Sequence, residues 1–177
     1  MVRRAPISLV AALVVAALVA TGTTAAASPR TARASALEAQ ALSAINLARA
    51  QHGLRPLRVS LRLGGAARQH STQMASAGYF SHSSADGTAF WRRIGSFYGS
   101  QGYRYWSVGE NLLWASPSVD ARGMVRMWMG SAEHRANLLG GRWREIGLSA
   151  VHVPSAPGVY AGREVTIVTC DFGVRSR

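Results

Sequence analysis

Three short polar signatures stand among bulky apolar residues in this chain. They are Tyr79-Phe80-Ser81-His82, Gly109-Glu110-Asn111-Leu112-Leu113 and, about 20 residues on, Trp128-Met129-Gly130-Ser131-Ala132-Glu133-His134-Arg135. Each holds an imidazole or a carboxylate where burial is costly unless the group meets a partner. We therefore read His82, Glu110 and His134 as converging on one cleft. Two imidazoles and a carboxylate suit a divalent metal such as zinc with an open coordination position. In that scheme His82 and His134 hold the metal, and Glu110 orients or deprotonates a bound water. The local His-Glu-x-x-His pattern and paired cysteines are both absent, so such a site would have to be gathered from distant parts of the chain.

Each residue also has a plainer reading. His82 follows a helix end and suits a surface or capping histidine, and Glu110 suits a brace at a bend made by Gly109 and Asn111. His134 with Arg135 suits the carbonyl end of a helix. His70 lies on an inward helical stripe, where a histidine is more often a satisfied core residue than a ligand. Ser131, Glu133 and His70 complete the set of candidate cleft residues, while Arg144 and Glu145 read as a solvated pair.

Several chemistries are excluded. All 20 basic residues are arginine, so no lysine Schiff base or Ser-x-x-Lys nucleophile can form. Gly-x-Ser-x-Gly and Gly-rich phosphate loops are absent, and Glu110 with Glu133 is the one reasonable carboxylate pair for glycoside hydrolysis. Cys170 is the only cysteine, which rules out an intramolecular disulfide; it sits in a strand-like run and reads as a buried structural thiol. The net charge of +12 favours anionic partners such as envelope components, or reflects arginine used in place of lysine to solubilise the surface. The arginines are scattered rather than clustered among aromatics, which argues against nucleic acid.

These residues need elements to position them. Arg3 and Arg4, the 14-residue apolar and small run Ile7 to Ala20, and Ala25-Ala26-Ala27 form the pattern of a secretory signal peptide over residues 1–27. The run is short for a membrane span, which needs about 20 residues. The mature chain is thus expected to be secreted or held at the envelope, without a span after cleavage. Residues 28–35 read as a linker and 36–177 as one domain, large enough to bury its own core. Helical spacing predicts helices over Ala36–Gln51 and Ser60–Ala77, a short one capped by Thr88, and one from Val119 to about Met129 capped by Ser118. Ala136 to Leu139 reads as a last helical turn. Strands are expected around Tyr103–Ala115, Ile146–Val153 and Tyr160–Phe172, the last two an antiparallel pair joined through Pro154–Gly158. Helices first and strands last point to an α+β sandwich.

At these residues the chain resembles the CAP superfamily of cysteine-rich secretory, antigen 5 and pathogenesis-related class-one proteins, in its short bacterial SCP-domain form. The resemblance runs from about Leu37 to Phe172 through Ile45-Asn46-Leu47-Ala48-Arg49, His70-Ser71-Thr72-Gln73-Met74-Ala75, Phe80-Ser81-His82, Gly109-Glu110-Asn111-Leu112 and His134-Arg135-Ala136-Asn137-Leu138-Leu139. It implies a three-layer α-β-α sandwich with a central, mainly antiparallel sheet and a shallow cleft. Eukaryotic members carry two histidines and two glutamates there and can bind zinc. The histidines fall on His82 and His134 and the first glutamate on Glu110; Ser131 stands where the second glutamate is expected, with Glu133 two positions on.

Two functions follow. The first is a secreted, non-enzymatic module whose His/Glu-lined cleft takes a lipid or other apolar or amphipathic ligand, motivated by five tryptophans and five tyrosines. The second is a zinc-assisted extracellular hydrolase of peptides or wall polymers, using His82, Glu110 and His134.

Overall fold

The opening helix is built by apolar residues at helical spacing: Ala41, Ile45 and Ala48 are buried along one face of α1 (Pro29–Gln51). The computed structural model describes residues 29–177, so the expected leader over 1–27 lies outside the described residues. The helix already runs from Pro29, inside the segment read as linker; proline is tolerated in a first helical turn and the sequence after it is alanine-rich. Asn46 then clamps the chain leaving α1, donating to the Leu57 carbonyl at 3.1 Å and accepting from the Leu57 amide at 2.8 Å. A two-residue strand β1 (Arg58–Val59) follows.

Ser60 begins α2 (Leu61–Ala77) by accepting from the Leu63 amide, and Gly78 ends it in the left-handed region at φ 69°. The short helix α3 (Phe90–Phe97) starts two residues after the expected cap. Thr88 instead donates its amide to Asp86 Oδ1 at 2.9 Å, closing a turn. Strand β2 (Tyr105–Ala115) runs unbroken through Gly109-Glu110-Asn111, so the bend expected around Glu110 is absent. Asp120 rather than Ser118 caps α4 (Ala121–Gly130), accepting from the Gly123 amide at 2.6 Å. A separate helix α5 (Ala132–Leu138) takes in Glu133 and His134, where only a turn from Ala136 was expected. Strands β3 (Glu145–Val153) and β4 (Val165–Ser176) complete the fold, joined by residues 154–164 with one 3-10 turn at Gly158–Tyr160.

The sheet order is β1-β3-β4-β2. β4 pairs antiparallel with both neighbours and β1 pairs parallel with β3, so the sheet is mainly antiparallel, as expected. α1 and α4 cover one face through Ile45, Met124, Trp128, Trp143, Val168 and Phe172; α2 and α3 cover the other through Leu63, Met74, Ile94, Tyr98, Val165 and Ile167. This is an α-β-α sandwich. β4 is buried over Val165–Val174 because it is central and covered on both faces. Each large apolar side chain fully buried there contributes about 1.5–3 kcal/mol.

Candidate functional site

Glu110 is the centre of the polar cluster. Its place in the middle of β2, on the face covered by α2 and α3, buries its side chain completely. Both carboxylate oxygens are engaged. His82 Nδ1 donates to Oε1 at 2.8 Å, and the Arg93 guanidinium donates to Oε2 from α3. Arg93 also donates to the His82 carbonyl at 3.0 Å and to Ser84 Oγ at 3.1 Å, binding the loop that carries His82 to the strand beneath it. The His82 side chain is 51% exposed and its ring meets Phe90 edge-on, with centroids 6.1 Å apart. A buried ion pair thus supports a displayed imidazole.

His134 sits in the first turn of α5, not at a carbonyl end. Its position is fixed from β2: Asn111 Nδ2 donates to the His134 carbonyl at 2.9 Å. Asn137 Nδ2 donates in turn to Asn111 Oδ1 at 3.0 Å and to the Glu110 carbonyl at 3.1 Å, which satisfies an outward group of this edge strand. Partial burial lowers the His134 pKa, and the charge of His82 lowers it further, so the two imidazoles share one electrostatic neighbourhood. Glu110 thus lies beneath His82, and His134 lies beyond the strand, held through its carbonyl by Asn111.

The remaining candidates divide. His70 is fully buried on α2 and its Nε2 donates to the Ser81 carbonyl at 2.8 Å, so it pins the start of the His82 loop from inside. Burial pushes its pKa down to about 4. Ser131 occupies the N-cap position of α5 without making a side-chain cap bond. Glu133 is exposed in the first turn of α5, where the helix dipole favours an acid, and its charge acts on the adjacent His134 against the burial that lowers that pKa. Glu145 and Arg144 are not a pair. Glu145 accepts from the Tyr98 hydroxyl, while Arg144 donates to carbonyls of its own turn, at Gly141, Arg142 and Trp143. Cys170 is buried and free, with its pKa raised well above the ordinary thiol value by burial, which suits a structural thiol.

Two participants were not singled out from sequence. Arg93 was legible in principle, because α3 buries Ile94 and packs Phe90 and Phe97, and Arg93 follows Phe90 by three positions on that inward side. Asp171 gave no signal, since only the strand register reveals that it lies directly opposite Glu110.

The carboxylate at the centre of the cluster is not open to a metal, while His82 Nε2 and the His134 ring are not tied to it. Both Glu110 oxygens are held by His82 and Arg93, and among the described residues no group of three or more His, Cys, Asp or Glu could hold a metal ion. A Glu110 held in this way is also poorly placed to take a proton from water.

An apolar groove lies elsewhere, between α1 and α4 on the opposite face of the sheet. Its volume is about 930 Å³, its walls include Ala44, Leu47, Ala48 and Val125, and Arg122 and Arg126 stand at it. Leu47 is 62% exposed there. Among the described residues no helix is long and apolar enough to cross a membrane.

Comparison with known proteins agrees with this architecture. The family model described as the cysteine-rich secretory protein family, CAP, matches residues 42–172. The Bacillus subtilis protein YkwD is 32% identical over 117 residues, which cover 66% of this chain and 43% of that protein. This chain therefore spans less than half the length of that relative. A Bacillus anthracis extracellular protein containing an SCP domain superposes with a TM-score of 0.63 at 24% identity, over 84% of this chain and 43% of that one. An outer surface protein from Borrelia burgdorferi gives 0.58 at 19% identity, over 76% of this chain and 90% of that one. A Staphylococcus aureus cysteine-rich secretory protein gives 0.58 at 18% identity, over 80% of this chain and 39% of that one.

Proposed function

This chain belongs to the cysteine-rich secretory protein (CAP) family, and from that premise we propose that it is an exported, non-enzymatic binding module for a single-chain anionic amphipath such as a fatty acid. Export is supported by the basic-apolar-small order of residues 1–27 and by the extracellular or surface character of the Bacillus anthracis and Borrelia burgdorferi proteins of the same fold. The carrying observation is the groove between α1 and α4, apolar along Ala44, Leu47, Ala48 and Val125 and bordered by Arg122 and Arg126. Apolar walls with a few placed polar groups are what a lipid tail and an anionic head require. Asp120, also at the groove, has its carboxylate committed to capping α4.

In this reading the apolar ligand is moved from the His/Glu cleft to the other face of the sheet. The cluster at Glu110 acts as a brace that displays His82, with neither Glu110 oxygen free to serve as a general base. A zinc-assisted hydrolase gains no support from that arrangement.

Oleate binding followed by calorimetry and thermal shift tests the proposal. Oleate is expected to bind the wild type and raise its melting temperature. Leu47→Glu should abolish binding and Arg122→Glu/Arg126→Glu should weaken it at least tenfold. Equal binding to all three proteins, or no binding to the wild type, would refute the assignment.

A further inference from the structure

Asp171 is fully buried on β4, directly opposite Glu110 on β2 and Gly147 on β3. Its two carboxyl oxygens receive no hydrogen bond from any donor among the described residues. The groups facing it from each neighbouring element explain why. From β3 there is only Gly147, where α2 packs so closely that a Cβ would lie 2.1 Å from the Leu63 carbonyl carbon. From α2, His70 gives Nε2 to the Ser81 carbonyl, and burial holds the ring neutral down to about pH 4. From α3, the Arg93 terminal nitrogens serve Glu110, the His82 carbonyl and Ser84, and its Nε has no partner. From the loop after α2, His82 Nδ1 is given to Glu110 and the buried Tyr79 hydroxyl has no partner. The flanking Cys170 and Phe172 point to the opposite, apolar face.

One polar contact remains for Asp171, the side chain of Glu110. Two ionised carboxylates cannot share a buried contact, so one must carry a proton. Glu110 has two donors that stabilise its charge and Asp171 has none. We propose that Asp171 is a neutral acid at physiological pH whose hydroxyl donates to Glu110, making it a positioning residue for that carboxylate. Burial, and then the charge of Glu110, raise the Asp171 pKa well above the ordinary 3.8, with Arg93 pulling the other way.

Glu110 is then fixed by three donors: His82 Nδ1, the Arg93 guanidinium and the Asp171 hydroxyl. Because Glu110 orients the half-exposed His82 ring, Asp171 acts on the displayed imidazole from two residues away, through Glu110. The assignment concerns the α2 face and stands whether or not an amphipath enters the α1–α4 groove.

Carboxyl-carbon NMR of protein labelled at aspartate tests it directly. The chain has three aspartates, and Asp86 and Asp120 are exposed, so their signals serve as internal references. One signal of the three is expected at the protonated-acid position at pH 7; three carboxylate signals would overturn the proposal. Asp171→Asn gives a second reading, because its amide can replace the hydroxyl as a donor without taking a charge. A raised folded-state pKa means that the folded wild type binds a proton the unfolded chain releases, so wild-type stability falls as pH rises above 3.8. The variant should therefore melt higher than the wild type at pH 7, by roughly 3 °C or more, with the gain vanishing as pH falls toward the ordinary carboxylate range. A variant that becomes progressively less stable than the wild type as pH rises would show that Asp171 is an ionised partner of Arg93, contrary to the proposal.

Discussion

The Asn111 amide donates to the main-chain carbonyl of His134 across 2.9 Å, so strand β2 carries the first turn of α5 on one face while Glu110, the preceding residue, holds the His82 loop on the other. Neighbouring strand residues point to opposite faces, and this alternation lets one short segment organise both sides of the cleft. The two imidazoles are placed by hydrogen bonds of the protein itself.

That arrangement makes Asn111 a stability determinant. It is fully buried, and its loss would leave the His134 carbonyl without its donor and the Asn137 amide without one acceptor. Asn111→Ala is expected to cost about 1–3 kcal/mol by urea denaturation. Asn111→Asp should be no better, because a carboxylate cannot donate to the carbonyl. If Asn111→Ala and Asn137→Ala act on one network, the double variant should lose less than the sum of the singles.

Arg93 and Glu110 should behave as a buried pair. Removing either partner leaves the other charge uncompensated, so Arg93→Met and Glu110→Gln are each expected to cost about 3–5 kcal/mol, and the double variant markedly less than the sum. Arg93 also holds the His82 carbonyl and Ser84 Oγ. Arg93→Met should therefore speed amide hydrogen exchange over residues 82–88 more than Asn111→Ala does. Equal protection in the two variants would remove Arg93 from its role as the anchor of that loop.

Much of this was legible from residue types and spacing, and the failures have physical causes. The apolar stripes of α1 and α2 and the antiparallel β3–β4 pair follow from periodicities that survive in the fold. Helix starts were less secure, because Ser118 and Asp120 are both good caps and only Asp120 accepts from the α4 backbone. Gly109 suggested a bend, yet the glycine serves proximity: a Cβ there would lie 2.9 Å from the Trp143 ring within a straight strand. His82, Glu110 and His134 could be picked out because polar residues in apolar settings demand partners. Of their partners, Asp171 could not, since it meets Glu110 only through a strand register set by residues 61 positions apart. The groove between α1 and α4 was equally hidden, being formed by faces whose residues look ordinary in sequence.

Zinc separates the brace from a metal site. With both Glu110 oxygens committed and Ser131 in place of a second carboxylate, stoichiometric zinc binding is not expected at His82 and His134. Calorimetry should show no one-to-one binding heat that disappears in His82→Ala/His134→Ala. Tight binding lost in the double variant would place the metal on the imidazole nitrogens that Glu110 leaves free, with Glu110 as the outer partner of His82 Nδ1.

His70 should pull stability down as pH falls below 6.5. Its folded pKa is about 4 against 6.5 in the unfolded chain. Between these values the unfolded chain takes a proton that the folded protein refuses, so the contribution is present above pH 6.5 and is lost as pH falls toward 4. The gap corresponds to roughly 3 kcal/mol for this fully buried ring. His134, also lowered, acts in the same sense but less, being only half-buried. Asp171 acts oppositely, its raised pKa lowering stability as pH rises, so the wild-type profile is a sum of two opposed slopes. His70→Gln separates them: the glutamine amide can still donate to the Ser81 carbonyl, as the imidazole Nε2 does, without titrating. Melting temperature followed from pH 7 to pH 4 should climb in His70→Gln relative to the wild type, because the opposing slope of Asp171 is then left alone. Combined with Asp171→Asn, the variant should become nearly flat across that window. A pH profile identical to that of the wild type in His70→Gln would remove His70 from the acid response.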